Sequence, residues 1–110
     1  MNSELHFRNG TVAVGDVFAS SWGYEQTNVD FYQVVALHGR TMVTVRKIRA
    51  QICGTDTYLQ EKRPVLSAFC GEPMKRRVHD FSDEPVIMIS DYEQAKKTGK
   101  EEGHIFTTWG

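Results

Sequence analysis

The alternation of apolar and polar residues is clearest in two runs on either side of Gly39. Residues 29–38 and 41–51 are rich in Val, Ile, Thr, Phe and Tyr, which favour pleated strands. Between the runs, Gly39 and Arg40 fit a two-residue hairpin turn, because glycine tolerates a positive φ. A turn at this place fixes the register. Residues at equal distances before Gly39 and after Arg40 must then lie opposite each other.

The predicted register sets apolar residues against apolar residues and opposite charges against each other, as cross-strand pairs prefer. One face holds Val29–Ala50, Phe31–Ile48 and Leu37–Met42, and the other holds Asp30–Arg49, Tyr32–Lys47, Val34–Val45 and Ala36–Val43. A slip of one residue would move each side chain to the opposite face. Near the turn both faces are apolar, so we expect that end of the hairpin to be buried on both sides.

The first part of the chain predicts a flexible N-terminal segment, residues 1–10, followed by a single domain, residues 11–110. Residues 11–15 suit a short edge strand or lead-in, and residues 16–20 suit the first core strand. Residues 52–74 contain two glycines and two prolines, and we expect a long irregular excursion there.

The last third of the chain predicts strands at residues 75–81, 86–89 and 105–109. Between the last two, Ser90 and Glu93 have the spacing of a capping box, in which each side chain bonds the backbone amide of the other. We therefore expect a short helix there, ended by Gly99.

These elements indicate a mostly β fold with a minor α component. The architecture they favour is a small, partly open antiparallel β-barrel of the Src-homology-3-like kind, with one short C-terminal helix before the last strand. A five-stranded oligonucleotide-binding barrel is the alternative.

Composition adds limits on location and partner. The sequence has 110 residues, of which 40% are hydrophobic and 25% are charged, and the formal net charge is −1. It contains no apolar run of membrane-spanning length and no signal peptide, so we expect a cytoplasmic protein that does not bind membranes. Basic residues are concentrated between Arg40 and Arg77, and this region could face phosphates or an acidic partner.

The run SSWGYEQTNVDFYQVV, residues 20–35, combines aromatic and amide side chains in the first long loop and the strand after it. It resembles a motif in a family of small uncharacterised proteins from phages, plasmids and other mobile elements. The resemblance extends more weakly to KRRVHDF and to the ending GHIFTTWG. It implies a mobile-element origin, with a role in nucleic-acid handling or in interference with host defence, and it assigns no activity to any residue.

Two functions from different classes fit these residues. The first is a non-enzymatic module that binds a protein partner, since Trp, Tyr and Arg are the usual interface anchors. The alternative is single-stranded nucleic-acid binding, with Trp22 and Tyr24 stacked on bases and basic residues along the backbone. The candidate binding residues are Trp22, Tyr24, Gln26, Asn28, Asp30, Tyr32, Lys47, Arg49 and Arg76. The net charge near zero favours a protein partner, and an uncovered edge strand would allow a homodimer.

Catalytic, metal and cofactor sites are not indicated. The four histidines are scattered along the chain, and no candidate nucleophile has a general base at the spacing of a known catalytic motif. Cys53 and Cys70 form no zinc motif, and in the cytoplasm they would be ordinary thiols. We therefore expect no catalytic residues, no metal and no cofactor.

Overall fold

The computed structural model describes residues 4–22, 28–53, 59–90, 93–98 and 104–107, with the backbone alone at residues 21–22, 28, 52–53, 59–62 and 104–107. Every regular element among these residues is a strand. The strands are β1 (Glu4–Phe7), β2 (Gly10–Ala13), β3 (Val17–Trp22), β4 (Asn28–His38), β5 (Met42–Cys53), β6 (Leu59–Phe69), β7 (Met74–His79), β8 (Val86–Ser90), β9 (Glu93–Thr98) and β10 (His104–Thr107).

Six of the strands close into an antiparallel barrel. Going round it, β3 pairs with β4, β4 with β5, β5 with β7, β7 with β8, β8 with β9, and β9 with β3. The prediction of a small, mostly β antiparallel barrel is confirmed, and the barrel is closed where a partly open one was expected. Closure leaves no free edge in the ring, which a small β-protein would otherwise have to protect.

The predicted C-terminal helix is wrong. Ser90 and Glu93 are opposed residues of β8 and β9, so the capping-box spacing belongs to a hairpin. Ala95 lies on β9 directly opposite Ile87, and both are fully buried in the barrel. A helix of about two turns is marginal alone, and the paired strand buries Ala95 in a core that already exists.

The hairpin at Gly39 is confirmed, with corrections to its turn and its register. His38 pairs with Met42, so the turn has three residues, 39–41, where two were predicted. Phe31–Ile48, Tyr32–Lys47 and Val34–Val45 are paired as predicted. The predicted Val29–Ala50 and Asp30–Arg49 pairs lie beyond the end of this ladder, where Val29 pairs with Ser21 and Ala50 with Pro64. Beyond Val34 the register shifts by one residue, so Leu37 faces Val43 and Ala36 faces Thr44, and the predicted Leu37–Met42 and Ala36–Val43 pairs are wrong. The shift is a β-bulge, which adds one residue to a strand and bends it.

The barrel interior is filled by branched and aromatic side chains. Its buried cluster includes Phe18, Tyr32, Val34, Val43, Val45, Val78, Ile87 and Ala95. Val34, Val43 and Val45 are fully buried there, so the face they form is not available as a dimer contact. Leu5 and Val12, from the paired strands β1 and β2, pack into the same cluster. The segment expected to be loosely attached therefore contains a strand with a core residue.

A second cluster covers the outside of the β3–β5 wall. It contains Val17, Val29, Phe31 and Ile48, with Phe69 of β6 packed against them. β4 and β5 are thus buried on both faces at the end of the ladder away from the turn. Near the turn, where burial on both sides was expected, the outward residues Ala36 and Thr44 are only half-buried.

One edge of β5 serves two partners in succession. Met42–Val45 pairs with β7 and completes the barrel, whereas residues from Ile48 to Cys53 pair with β6. β6 in turn pairs with β10, and we call β6 and β10 the wing. The region expected to be an irregular excursion therefore contains an 11-residue strand, interrupted by a bulge described below.

Candidate functional site

A shallow groove of about 320 Å³ opens where β4 and β5 separate. Their ladder ends at Phe31–Ile48, beyond which β4 continues beside β3 and β5 continues beside β6. We call this opening the β4–β5 groove, and it is lined by Val29, Asp30, Phe31, Lys47, Ile48, Arg49, Ala50 and Cys70. Three residues predicted as binding residues, Asp30, Lys47 and Arg49, are brought together here.

The charges at the groove differ from those expected. Asp30 Oδ1 lies 3.4 Å from Lys47 Nζ, so this carboxylate forms an ion pair with Lys47, where the sequence predicted Arg49. Lys47 is half-exposed, and a pair of this kind contributes at most about 1 kcal/mol. The Arg49 side chain is exposed, and it forms no ion pair with any side chain that the structure describes.

The chain between β6 and β7 passes close over β5 at Lys47. The amide of Cys70 donates to the carbonyl oxygen of Lys47 at 2.9 Å, and Arg46 Nε donates to the Gly71 carbonyl oxygen at 2.9 Å. A Cβ added to Gly71 would stand 2.9 Å from Lys47 Cβ. Glycine permits this approach, which holds the exposed thiol of Cys70 at the rim of the groove.

Behind the groove, three polar side chains meet inside the barrel end. Ser20 Oγ donates to Glu93 Oε2 at 2.6 Å, and Tyr32 OH donates to the same oxygen at 3.2 Å. Burial raises the pKa of Tyr32, and the carboxylates of Glu93 and Asp30 raise it further. Ser20 is fully buried and Tyr32 nearly so, hence neither is placed to touch a partner directly.

β6 carries an apolar bulge beside the groove. Four residues, 65–68, lie opposite Arg49 alone, because Phe69 pairs with Ile48 and Pro64 pairs with Ala50. We call residues 65–68 the β6 bulge. The Ser67 amide donates to Oε1 of the buried Gln33 at 2.7 Å, and Ser67 has a φ of 64°. Val65 and Leu66 are 39% and 43% exposed on this fixed backbone.

The predicted basic surface is dispersed. The Arg46 guanidinium lies over the Phe69 ring, 4.7 Å from its centroid. Arg76 Nη2 donates to the Ile89 carbonyl oxygen at 3.2 Å, so this side chain is held by the barrel wall. Lys75 and Arg77 are exposed, on the opposite face of β7 from Arg76. With Lys47 paired to Asp30, these basic groups do not converge on one surface.

Four predicted binding residues lie wholly or partly outside the described chain. Tyr24 and Gln26 are outside it, and Trp22 and Asn28 are described by their backbone alone. Trp22 pairs with Asn28, one residue beyond the Ser21–Val29 pair. Because Val29 lines the groove, the backbone of the aromatic motif ends beside it.

Sequence reasoning missed Gln33, Ser67 and the pairing of Ser20 with Glu93. Gln33 had a signal, since it occupies the apolar face two residues after Phe31 and had to find a buried partner. The signal for Glu93 was ambiguous, because its spacing from Ser90 fits both a helix cap and a tight hairpin.

No group of three or more His, Cys, Asp or Glu side chains that could hold a metal ion occurs in the described ranges. In the same part of the chain, no helix is long and apolar enough to cross a membrane. No family model, curated protein or solved structure matches this sequence. The Src-homology-3-like assignment and the resemblance to mobile-element proteins therefore stay predictions.

Proposed function

We propose that this protein is a non-enzymatic binding module that engages a protein partner through the β6 bulge and the adjoining end of the β3–β4 hairpin. The observation that carries the proposal is the exposure of Val65 and Leu66 on a fixed backbone. A left-handed φ at a serine is uncommon, and such residues persist where the surrounding structure holds them. Two apolar side chains displayed in this way suit an interface better than a solvated loop.

Binding is favoured over catalysis by the placement of the polar groups. A nucleophile must be within reach of both a base and a substrate. The hydroxyl of Ser20 bonds a carboxylate, but the side chain is fully buried beneath the barrel wall. The cluster of Ser20, Tyr32 and Glu93 therefore fits a structural role.

Protein is favoured over nucleic acid because the basic side chains are separated and partly engaged. Arg46, Lys47 and Arg76 each form a hydrogen bond or an ion pair within the chain. A phosphate-tracking surface needs several free cations along one path. The resemblance to mobile-element proteins adds the hypothesis that the partner is a host factor of defence or nucleic-acid processing.

The test compares pull-downs by wild type and by a Val65→Ser, Leu66→Ser double variant. The control is Val14→Ser, since Val14 is an exposed apolar residue on another loop. We expect a specific co-purifying protein that is lost with the bulge variant and kept with the control. Retention by the bulge variant, with both variants folded by circular dichroism, would contradict the proposal.

The nucleic-acid alternative has its own measurement. Labelled single-stranded and duplex oligonucleotides are titrated at about 50 and about 200 mM salt, because phosphate contacts weaken steeply over this range. We expect no binding at the lower salt. Tight binding there that falls steeply at the higher salt would replace a protein partner with a nucleic acid.

A further inference from the structure

We infer that the β4–β5 groove receives the β7–β8 loop of a second copy of this chain. The loop, residues 80–85, connects β7 to β8 and reads DFSDEP. Its Phe81 is 61% exposed, the largest exposure among the large apolar side chains that the structure describes. The Phe81 ring is set against His79, with 5.4 Å between the two ring centroids.

The groove and the loop are complementary in charge. Phe81 is flanked by three exposed carboxylates, those of Asp80, Asp83 and Glu84. Asp80 lies 3.8 Å from Arg8 and Asp83 lies 2.9 Å from Lys96, so Glu84 is the one without an ion pair among described side chains. In the groove, Arg49 is exposed without an ion pair among described side chains, and Lys47 shares Asp30. Opposite charges that form no ion pair among the described side chains of their own copy, Arg49 on the groove and Glu84 on the loop, steer association and fix its orientation.

The groove and the loop are also complementary in size and polarity. A volume of about 320 Å³ is at the lower end of the range for ligand pockets, which suits one large side chain with its flanking groups. The groove floor includes Val29, Phe31 and Ile48, which are at most 2% exposed, and the half-buried Ala50, so a ring would rest mainly on Ala50 and on the side chains of the rim. An aromatic ring entering a pocket of this kind is the usual anchor of an interface.

The contact must be between molecules, because groove and loop lie at opposite ends of the barrel. β7 runs antiparallel to β5 with Arg77 opposite Met42, so the loop lies beyond Met42. Met42 and Arg49 are seven residues apart on β5, which is about 23 Å along a strand. The contact is therefore heterologous, with different surfaces of the two copies, and copies can join head to tail.

The experiment measures molar mass by analytical ultracentrifugation as protein concentration rises. A single loop in a groove buries less than a standard interface, so association is expected at about 0.1–1 mM. Arg49→Glu removes the groove function, and Phe81→Ser removes the loop function. We expect each variant to stay monomeric, with Lys75→Glu and Val14→Ser as the matched controls that still associate.

The deciding step is to mix the two variants. The Arg49→Glu chain keeps an intact loop and the Phe81→Ser chain keeps an intact groove, so the mixture should form one-to-one dimers that stop there. A mixture that stays monomeric overturns the inference, as does a wild type that stays monomeric at about 1 mM. Association that survives both substitutions would also overturn it.

A second measurement does not depend on folding of any variant. A synthetic peptide of residues 79–85, HDFSDEP, is added in excess to wild type. It should return the wild type to monomer, whereas a peptide with serine in place of Phe81 should not. Equal effects of the two peptides would contradict the inference. The pull-down on the β6 bulge is independent of both results.

Discussion

Tyr32 is the residue whose role changes most between sequence and structure. It was predicted to contact a partner, yet its ring is in the barrel core and its hydroxyl bonds Glu93. The sequence could not distinguish these roles, because an aromatic residue with a polar tip suits both an interface and a core with a hydrogen-bond acceptor. The acceptor comes from β9, 61 residues further along the chain.

The buried hydroxyl of Tyr32 predicts a loss of stability at alkaline pH. Burial and the neighbouring carboxylates raise the pKa of Tyr32 in the folded state above its unfolded value of about 10. The folded state therefore holds this proton more tightly, and the stability it contributes is complete below about pH 10 and is lost as the pH rises further.

Replacing Tyr32 by Phe should remove this component. Above about pH 10, the free energy of unfolding of wild type should fall more steeply with pH than that of Tyr32→Phe. Urea denaturation at a series of pH values from 8 upward measures both slopes. Parallel slopes would show that the hydroxyl has no part in the alkaline loss.

At the scale of elements, local patterns succeeded where both partners were close in sequence. The hairpin at Gly39 was predictable because its turn and its alternation agree, and Gly39 has a φ of 59°. The bulge after Val34 was not, since it depends on how Leu37 and Val43 reach a core built by distant strands. The strand β9 was mistaken for a helix although its partner β8 directly precedes it, because the spacing of Ser90 and Glu93 fits a helix cap as well as a tight hairpin.

Gly39 and Gly71 are required for different reasons, and substitutions should separate them. In Gly39→Ala the added Cβ has no neighbouring atom within 4 Å. The expected loss of about 1 kcal/mol in folding stability therefore comes from the left-handed backbone conformation. Asparagine tolerates that conformation, so Gly39→Asn should recover most of the loss.

Gly71→Ala instead drives a Cβ against Lys47, and overpacking of this kind costs about 1–3 kcal/mol. Gly71→Asn should be at least as destabilising as Gly71→Ala, since a longer side chain does not relieve the contact. Thermal unfolding of the four variants measures the pattern. Recovery of stability by Gly71→Asn would show that backbone conformation, and not proximity to β5, demands this glycine.

At the scale of the whole molecule, the barrel and the wing are held differently. Each of the six barrel strands has a paired strand on both sides. In the wing, β10 pairs with β6 only at residues 59–62, so among described strands the rest of β6 is paired on one side, with β5. The apolar alternation of the sequence predicted the barrel. It did not predict the wing, because Pro64 and the glycines around it suggested irregular structure.

Native-state hydrogen exchange should therefore show two levels of protection. Amides of β4 and β9 should exchange only with global unfolding, and those of residues 63–69 should exchange through a smaller opening. Exchange measured by NMR at increasing denaturant resolves the two. Equal protection of the wing and the barrel would indicate one cooperative unit.

The shared edge of β5 has a consequence for how this protein can change over generations. Because ring closure uses Met42–Val45 and the wing uses the rest of that edge, insertions and replacements between β5 and β7 leave the closure of the ring untouched. A lineage could therefore exchange its wing for another, and acquire a new recognition surface, while keeping the strand pairs that close the ring.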